Sequence, residues 1–339
     1  MRGAARHRRR PRRPAAAPES RLQHQVARGG VGAGGAGGAA GLYGALRLGC
    51  PQWAHRPWCR SIFPPEAKER DALTHYARVF TCVEGNTTFY ATPPAEVVRR
   101  WAAQTPPSFR LLLKLPQEVT HERLLGAGAL DAARRFLDHM APLGPRAEDV
   151  LVQLPARFDA RRLDDLYRFL TALPRDELAE GEERAWRGYA VEVRDPALCA
   201  EPLLSELNAL LSAARAERAW MDTRPLRASP PPHAEATRVA LERKPDLPVF
   251  PVGLGPRPVV RYVAHVAVGE NLPWLEAWAG VFARWLDEGR APYFFAHYPG
   301  ETLAPEVARL FYERLRALRP ALPRAPGWPS EVQMGLFSG

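Results

Sequence analysis

Cysteine is scarce in this chain of 339 residues, and its spacing argues against the common cysteine-based metal sites. The four cysteines, Cys50, Cys59, Cys82 and Cys199, form no CxxC pair and join no histidine cluster at zinc-binding spacing. We therefore expect them to be reduced, mostly buried thiols in a cytoplasmic protein.

Long apolar runs and an evenly spread excess of charge are also missing. No run of 18 apolar residues occurs, so no membrane-spanning helix is expected. The net charge is +10, but residues 1–30 contain nine arginines and a single acidic residue, Glu19, which supply +8 of it. The rest of the chain is close to neutral. This argues against nucleic acid as the partner of the folded part, because phosphate binding requires clustered basic residues.

The short motifs that identify a reaction are absent as well. The sequence contains no HExxH, P-loop or GxSxG pattern. No metal is identified by a motif either, and the cofactor therefore stays unknown at this level. Function has to be inferred from the predicted fold and from the polar residues that this fold brings together.

Residues 1–41 differ in composition from everything that follows. They are rich in arginine, glycine and alanine and have no hydrophobic periodicity, which predicts a disordered tail or a misassigned start of translation. Residues 42–339 have the periodic patterns of a folded protein. With 46% hydrophobic and 25% charged residues overall, the composition is typical of a globular protein. We predict a single domain over residues 42–339.

Short β-like runs alternate with amphipathic helical patterns throughout that domain. Eight strands are predicted, at 45–50, 81–85, 109–115, 149–154, 189–193, 218–222, 259–265 and 292–297. The main helices are predicted at 94–104, 161–173, 201–216, 272–289 and 304–318. Alternating βα units imply a parallel sheet, and eight such units in a chain of this length predict a (β/α)₈ TIM-type barrel.

One connection departs from the repeating pattern. Residues 222–258, between strands six and seven, form a long proline-rich loop with a short predicted helix near 234–243. The loop is compatible with a lid over the barrel and equally with a solvent-exposed excursion that has no role.

Polar side chains lie at or just beyond the end of almost every predicted strand. Ligands bind at this C-terminal end in TIM-type barrels, so these residues are the candidates for a site. They are Gln52, Trp53, Glu84, Asn86, Thr88, Lys114, His121, Gln153, Glu192, Arg194, Asp222, Arg261 and His297. One alternative is a ring of ion pairs that only closes the barrel. A binding site is favoured for the set as a whole, because burying so many charges contributes little to stability.

The residue types define the candidate chemistry. Lys114, Arg194 and Arg261 could hold a carboxylate or phosphate group. Glu84, Glu192 and Asp222 could act as general acid or base. The same carboxylates with His297 could also bind a divalent metal ion.

Several stretches resemble the YecE-like family, also called domain of unknown function seventy-two. They are LGCPQWAHRPW (48–58), VEGNTTFYATPPAEVVRRWAAQTPPSFR (83–110), LVQLPARF (151–158), VEVRDP (191–196), DTRP (222–225), WLDEGRAPYFFAHYP (285–299) and the terminal LFSG. The resemblance implies a TIM-type barrel and, by the family's designation, no established activity. Its motifs carry over the strand-end candidates and add Tyr90. Glu84, Lys114, Glu192 and Asp222 are then the catalytic candidates, and the others are ligand-binding candidates.

Function is predicted only in general terms. We expect the protein to bind a small polar or anionic ligand at the C-terminal mouth of the barrel. If the protein is an enzyme, it would also transform this ligand. A nucleic-acid-associated barrel, suggested by the basic tail, and a non-catalytic partner-binding scaffold, suggested by the proline-rich loop, remain alternatives. The sequence assigns no reaction and no oligomeric state.

Overall fold

A computed structural model describes residues 43–59, 61–175, 188–232 and 234–328. The predicted tail at 1–41 and the terminal LFSG motif lie outside these ranges. Eight parallel strands form one sheet in the order β1-β8-β7-β6-β5-β4-β3-β2. They are β1 (Arg47–Gly49), β2 (Cys82–Gly85), β3 (Arg110–Lys114), β4 (Asp149–Gln153), β5 (Gly188–Glu192), β6 (Glu217–Asp222), β7 (Val259–Val263) and β8 (Tyr293–His297). The predicted (β/α)₈ TIM-type barrel is confirmed.

Helices surround the sheet and connect its strands. They are α1 (Ala72–Val79), α2 (Thr87–Tyr90), α3 (Ala95–Gln104), α4 (Ala129–Met140), α5 (Leu163–Ala172), α6 (Leu203–Ala213), α7 (Arg224–Arg227), α8 (Glu235–Arg243), α9 (Leu272–Asp287) and α10 (Ala304–Leu318). The five main predicted helices and the short helix in the proline-rich loop are all present, whereas α1, α2, α4 and α7 were not predicted. Among the described residues, no helix is long and apolar enough to cross a membrane.

The first and second strands complete the barrel. The Thr81 N–H donates to the Leu48 carbonyl at 3.2 Å, and the Glu84 N–H donates to the Cys50 carbonyl at 3.1 Å. Gly49 lies at this seam, where a Cβ atom would overlap the backbone of β2. Glycine is therefore required for the close approach of the two strands.

Strand alternation separates two apolar layers. The barrel interior contains Cys82, Leu112, Leu151, Ala190, Ala219, Val259, Tyr293 and Phe295. The intervening residues pack outward against the helices. Phe294, for example, stacks on Phe311 of α10 with ring centroids 3.7 Å apart. Each strand consequently has one face toward the interior and one toward the helical layer, with a period of two.

The N-terminal end of the barrel is held by a network of buried ion pairs. Glu148 bonds Arg47 at 2.6 Å and Arg110 at 2.9 Å, while Asp149 bonds Arg257 at 2.7 Å. The Tyr293 hydroxyl also donates to Asp149, at 3.0 Å. Polar groups at this end of a TIM-type barrel contribute to stability rather than to ligand binding.

Replacing Asp149 with alanine is expected to lower the free energy of unfolding by about 3 kcal/mol, because the half-buried Arg257 guanidinium would lose its closer carboxylate and keep only Glu148, at 3.8 Å. Chemical denaturation measures this change. Asp165→Ala is the matched control, since the ion pair of Asp165 with Arg168 is exposed to solvent, and it should cost less than about 1 kcal/mol. Equal losses in the two variants would contradict a stabilising role for the network.

Candidate functional site

A polar layer follows directly above the apolar interior of the barrel. On six strands, the residue two positions beyond an apolar interior residue is polar and points into the same space. These residues are Glu84, Lys114, Gln153, Glu192, Arg261 and His297, and we call them the mouth cluster. All six are buried. Sequence reasoning predicted each of them, and the structure brings them together at the C-terminal end of the strands.

Arg261 lies at the centre of the mouth cluster. Its guanidinium forms a bidentate pair with Glu84, with Nε–Oε2 and Nη2–Oε1 distances of 2.7 and 2.6 Å. Its Nη1 also donates to Glu192. Burial acts to raise the pKa of Glu84, but Arg261 and then His297 lower that pKa well below its ordinary value. The pKa of Glu192 falls to about 2 for the same reason, against the effect of burial. Both carboxylates are therefore ionised and held in place.

Arg194 continues the ion-pair network of Glu84, Glu192 and Arg261 toward solvent. Its Nε donates to Glu192 at 3.0 Å, and its Nη2 donates to the Gln153 side chain at 3.0 Å. The Arg194 side chain is 22% exposed, whereas that of Glu192 is 1% exposed. The bonds to Glu192 and Gln153 therefore fix the orientation of the Arg194 guanidinium, while part of its side chain remains accessible to solvent.

Lys114 is the member of the cluster without a carboxylate partner. Its ammonium lies 3.7 Å from the centre of the Phe89 ring, and no described carboxylate lies within ion-pair distance of it. Burial, followed by the charge of Arg261, lowers the pKa of Lys114 to about 7. The amine is therefore close to half protonated at neutral pH.

Lys244 and Glu301, which were not predicted from the sequence, complete the mouth beside His297. His297 Nε2 lies 3.3 Å from Glu84 Oε2, and its Nδ1 lies 3.3 Å from the Lys244 Nζ. His297 Nδ1 also lies 3.9 Å from a carboxylate oxygen of Glu301. Burial raises the pKa of Glu301 to about 7, against the lowering effect of Lys244. Burial and Lys244 lower the pKa of His297 to about 4, so its imidazole is neutral.

A compositional signal points to Lys244. The chain contains 44 arginines but only three lysines, Lys68, Lys114 and Lys244. Two of the three meet at the mouth, and Lys244 arrives from the proline-rich loop. That loop therefore contributes a side chain to the mouth. No comparable signal marks Glu301, which follows β8 in an irregular segment.

A cavity of about 410 Å³ adjoins the mouth cluster. Its lining includes His121, Arg194, Arg243 and Lys244 among its basic groups, with Glu242 and Asp246 on the loop side. His121 lies in a π-helical turn, Glu118–Glu122, with its ring edge-on to Phe89 at 4.9 Å. Burial and the charge of Lys114 lower the pKa of His121 to about 4. The cavity opens to solvent beside the buried cluster.

Two other cavities lie away from the cluster. One of about 250 Å³ is beside Arg47 and Arg110 at the N-terminal end. The other, of about 700 Å³, follows β1 near His55 and Cys59 and is lined mainly by exposed side chains. The cavity of about 410 Å³ is the candidate site, because two of its lining residues contact the mouth cluster: Arg194 bonds Glu192, and Lys244 lies 3.3 Å from His297.

Asp222 does not join the mouth cluster. It pairs in register with Tyr262, which is the position after Arg261 and faces the helical layer. The Trp278 Nε1 of α9 donates to Asp222 at 2.8 Å, and Arg224 forms a bidentate pair with it. Asp222 therefore does not join Glu84 and Glu192 as a candidate acid or base at the mouth, because it lies on the outer face of β6.

The polar segment after β2 is helical rather than extended. Asn86 has helical backbone angles and donates from Nδ2 to the Pro51 carbonyl at 3.1 Å. The Thr88 hydroxyl contacts the carbonyls of Gly85 and Lys114 at 2.8 and 2.7 Å. These two side chains support the backbone around the cluster. Tyr90 is 71% exposed at the end of α2.

The remaining predicted residues follow β1. Trp53 packs edge-on against Trp101 of α3, with ring centroids 5.1 Å apart, and Gln52 is half-buried beside it. Within the described ranges, no group of three or more histidine, cysteine, aspartate or glutamate side chains is arranged to hold a metal ion.

The fold and the charged mouth define a TIM-type barrel with a candidate site at its C-terminal end. Residues 47–331 match the family described as "Protein of unknown function DUF72", and the chain belongs to that family. UPF0759 protein YecE of Escherichia coli K12 is 36% identical over 290 residues, which cover 85% of this chain and 99% of that protein. The resemblance predicted from the motifs is thereby confirmed.

More distant relatives agree with this assignment. UPF0759 protein YunF of Bacillus subtilis 168 is 31% identical over 114 residues, or 32% of this chain and 40% of that protein. A DUF72 family protein from Enterococcus faecalis has a TM-score of 0.58 at 16% identity, covering 80% of this chain and 95% of that one. One from Thermotoga maritima has a TM-score of 0.57 at 17% identity, covering 81% and 99%. At these identities the two structures support the fold.

Proposed function

We propose that the protein binds a small anionic molecule at the C-terminal mouth of the barrel. The observation that carries this proposal is the unequal pairing of charges. Arg261 is neutralised by Glu84 and Glu192, whereas no described carboxylate lies within ion-pair distance of Lys114. Lys244 contacts the neutral His297 and interacts with the charge of Glu301 from beyond ion-pair distance. A buried or half-buried cation without a partner is costly, and an anionic ligand would provide one.

The residues of the mouth divide into a frame and a reactive set under this proposal. Glu84, Glu192 and Arg261 form the frame, because a carboxylate with a pKa of about 2 is a weak base at neutral pH. Groups suited to proton transfer near pH 7 are Lys114 and Glu301, whose pKa values both lie at about 7. If the ligand is transformed, these two groups are the candidates for general acid and base.

The binding test uses oxalate as a small dianion and oxamide as its neutral analogue. Calorimetric titration of the full-length protein should detect oxalate and not oxamide. Lys244→Met and Arg194→Met should each weaken oxalate binding about tenfold, the loss expected for one charge-assisted contact. Lys68→Met is the matched control, because Lys68 is exposed and does not line the mouth cavity. Equal binding of oxamide, or unchanged affinity in both mouth variants, would count against the proposal.

Binding of oxalate should also weaken as the pH rises from 6 to 8. Lys114 has a pKa of about 7, so its positive charge is largely present at pH 6 and largely lost at pH 8. Oxalate remains a dianion over this range, which assigns the change to the protein. Lys114→Met should reduce this pH dependence, whereas Lys68→Met should retain it in full. Glu301, whose pKa is also about 7, gains its negative charge over the same range and should account for the dependence that is left. A pH-independent affinity in the wild-type protein would argue against a contact between Lys114 and the ligand.

Lys114 should reduce the stability of the unliganded fold. Because its pKa is lowered from 10.5 to about 7, the cost of the buried ammonium is fully present below pH 7 and is relieved between pH 7 and 10.5. Lys114→Met should therefore raise Tm by about 4 °C or more at pH 6, and by less at pH 9. Thermal unfolding of this variant and of Lys68→Met at both pH values tests the expectation. A lower Tm for Lys114→Met at pH 6 would show that the lysine stabilises the barrel.

A further inference from the structure

We propose that Lys114 forms a Schiff base with the carbonyl carbon of an anionic 2-oxo acid bound at the mouth. This inference rests on the anion-binding function proposed above and adds the class of ligand and the nucleophile. It requires a buried primary amine and an anchor for the carboxylate, and the described residues supply both.

The choice of lysine at position 114 is informative because the chain uses arginine almost everywhere else. With 44 arginines and three lysines, a positive charge in this protein is nearly always a guanidinium. A guanidinium is always protonated and cannot attack a carbonyl group, whereas an ε-amine can lose its proton when it is buried.

The surroundings of Lys114 favour the neutral amine. The side chain is buried at the end of β3, and no described carboxylate lies within ion-pair distance of its Nζ. Arg261 and Arg194 lie near enough to act against its protonation. Desolvation together with neighbouring cations is the arrangement that activates lysine nucleophiles in enzymes.

The carboxylate of the 2-oxo acid has two cationic anchors. Arg194 and Lys244 both line the cavity of about 410 Å³ that adjoins the cluster. Lys244 is already engaged, with His297 Nδ1 at 3.3 Å and with the charge of Glu301. It is therefore assigned to anion binding rather than to attack on the carbonyl.

The reaction balances without an oxidant or reductant. The lone pair of the neutral Lys114 amine forms a bond to the carbonyl carbon, and the π pair of the C=O bond moves to oxygen. Proton transfer from nitrogen to this oxygen gives the carbinolamine. A second protonation of oxygen then allows water to leave and the C=N bond to form. Glu301 is the mouth residue suited to supply that proton, because its carboxyl group lies 3.9 Å from His297 of the mouth cluster and burial raises its pKa to about 7.

Reductive trapping tests the proposal on the full-length protein. Glyoxylate and pyruvate are incubated with the protein and sodium cyanoborohydride at pH 7, and modified peptides are mapped by mass spectrometry. Only three lysines and the α-amino group can react in this way, and exposed Lys68 reports non-specific alkylation. Labelling of Lys114 should exceed that of Lys68 at least about tenfold, because an ordinary lysine with a pKa near 10.4 is almost fully protonated at pH 7. It should saturate with 2-oxo acid concentration and be inhibited by oxalate.

Arginine in place of Lys114 keeps a positive charge at this position but removes the primary amine. Lys114→Arg should abolish the adduct at position 114, while Lys68→Arg should leave the labelling of Lys114 unchanged. If oxalate binds but Lys114 is labelled no faster than Lys68, the Schiff-base proposal is wrong and the anion-binding function stands. If neither oxalate binding nor labelling occurs, both proposals fail. The comparison of Lys114 with Lys68 within the wild-type protein does not depend on whether a variant folds.

Discussion

Arg261→Met is expected to lower the free energy of unfolding by about 3–5 kcal/mol, the cost of leaving buried charges without their partner. Arg261 neutralises both Glu84 and Glu192, whose side chains are 0% and 1% exposed. Removing the guanidinium would leave two carboxylates facing each other in the barrel interior. Their low pKa values depend on Arg261, so both should shift upward and the variant should become more stable as the pH is lowered from 8 to 5.

A triple variant tests the physical reason for this loss. Glu84→Gln and Glu192→Gln, combined with Arg261→Met, remove all three buried charges of the frame. Only Arg194 then loses a carboxylate partner, and its side chain is 22% exposed to solvent. This combination should recover at least half of the stability lost in Arg261→Met, as replacement of a complete buried ion pair often does. Urea denaturation of the single and triple variants gives both values. If the triple variant is the less stable of the two, direct packing by Arg261 rather than charge compensation explains the loss.

Gly49→Ala is expected to cost about 3 kcal/mol or more, because overpacking at a rigid backbone contact cannot be relieved by a side-chain rotation. A Cβ atom at this position would overlap the Cys82 carbonyl oxygen and lie 3.0 Å from the Tyr76 hydroxyl. The same hydroxyl accepts from the Cys50 N–H at 2.7 Å and donates to the Cys82 carbonyl at 3.1 Å. The substitution should therefore open the seam between β1 and β2. Thermal unfolding and hydrogen exchange of the Glu84 N–H, which bonds Cys50 across the seam, both report this change.

Gly280→Ala is the matched control for this prediction. Gly280 lies within α9, and a Cβ atom there has no neighbour within 4 Å. Alanine should raise stability by about 0.5–1 kcal/mol because it is the better helix former. Similar effects from both substitutions would mean that close approach at the seam does not explain the glycine at position 49.

The carboxylates of the frame and the amine of Lys114 need opposite electrostatic surroundings. The frame keeps its carboxylates ionised through Arg261, whereas Lys114 remains without such a partner and so has a pKa near neutrality. The expected gain in stability from Lys114→Met and the expected loss from Arg261→Met express this difference. A site that binds an anion through an unpaired cation is less stable when empty than when occupied.

The barrel could be predicted because its evidence is local. Eight runs with strand periodicity, separated by amphipathic helices, specify the order of elements whatever their partners are. The polar layer was predictable for a related reason. Once the strands were assigned, Glu84, Lys114, Glu192 and Arg261 lay at strand ends that a TIM-type barrel brings together.

The orientation of Asp222 could not be predicted in the same way. The β6 segment ERAWMD has polar residues on both faces, so its alternation does not reveal which face is inward. Its orientation depends on Trp278, more than 50 positions later in the chain, which supplies an indole N–H to the carboxylate. Similarly, Asn86 stood next to a predicted strand, but helix α2 begins at Thr87 and ends the extended geometry.

By itself, the sequence determined the class of fold, the order of its strands along the chain, and a set of thirteen strand-end candidates that includes the six residues of the mouth cluster. Only the tertiary structure decided how these charges pair, that Asp222 faces the helices, and that Lys244 and Glu301 reach His297. The physical reason is the range of the interactions. Strand and helix periodicity arises from neighbours along the chain, whereas the pairing and protonation of buried charges depend on groups that only folding brings within a few ångströms.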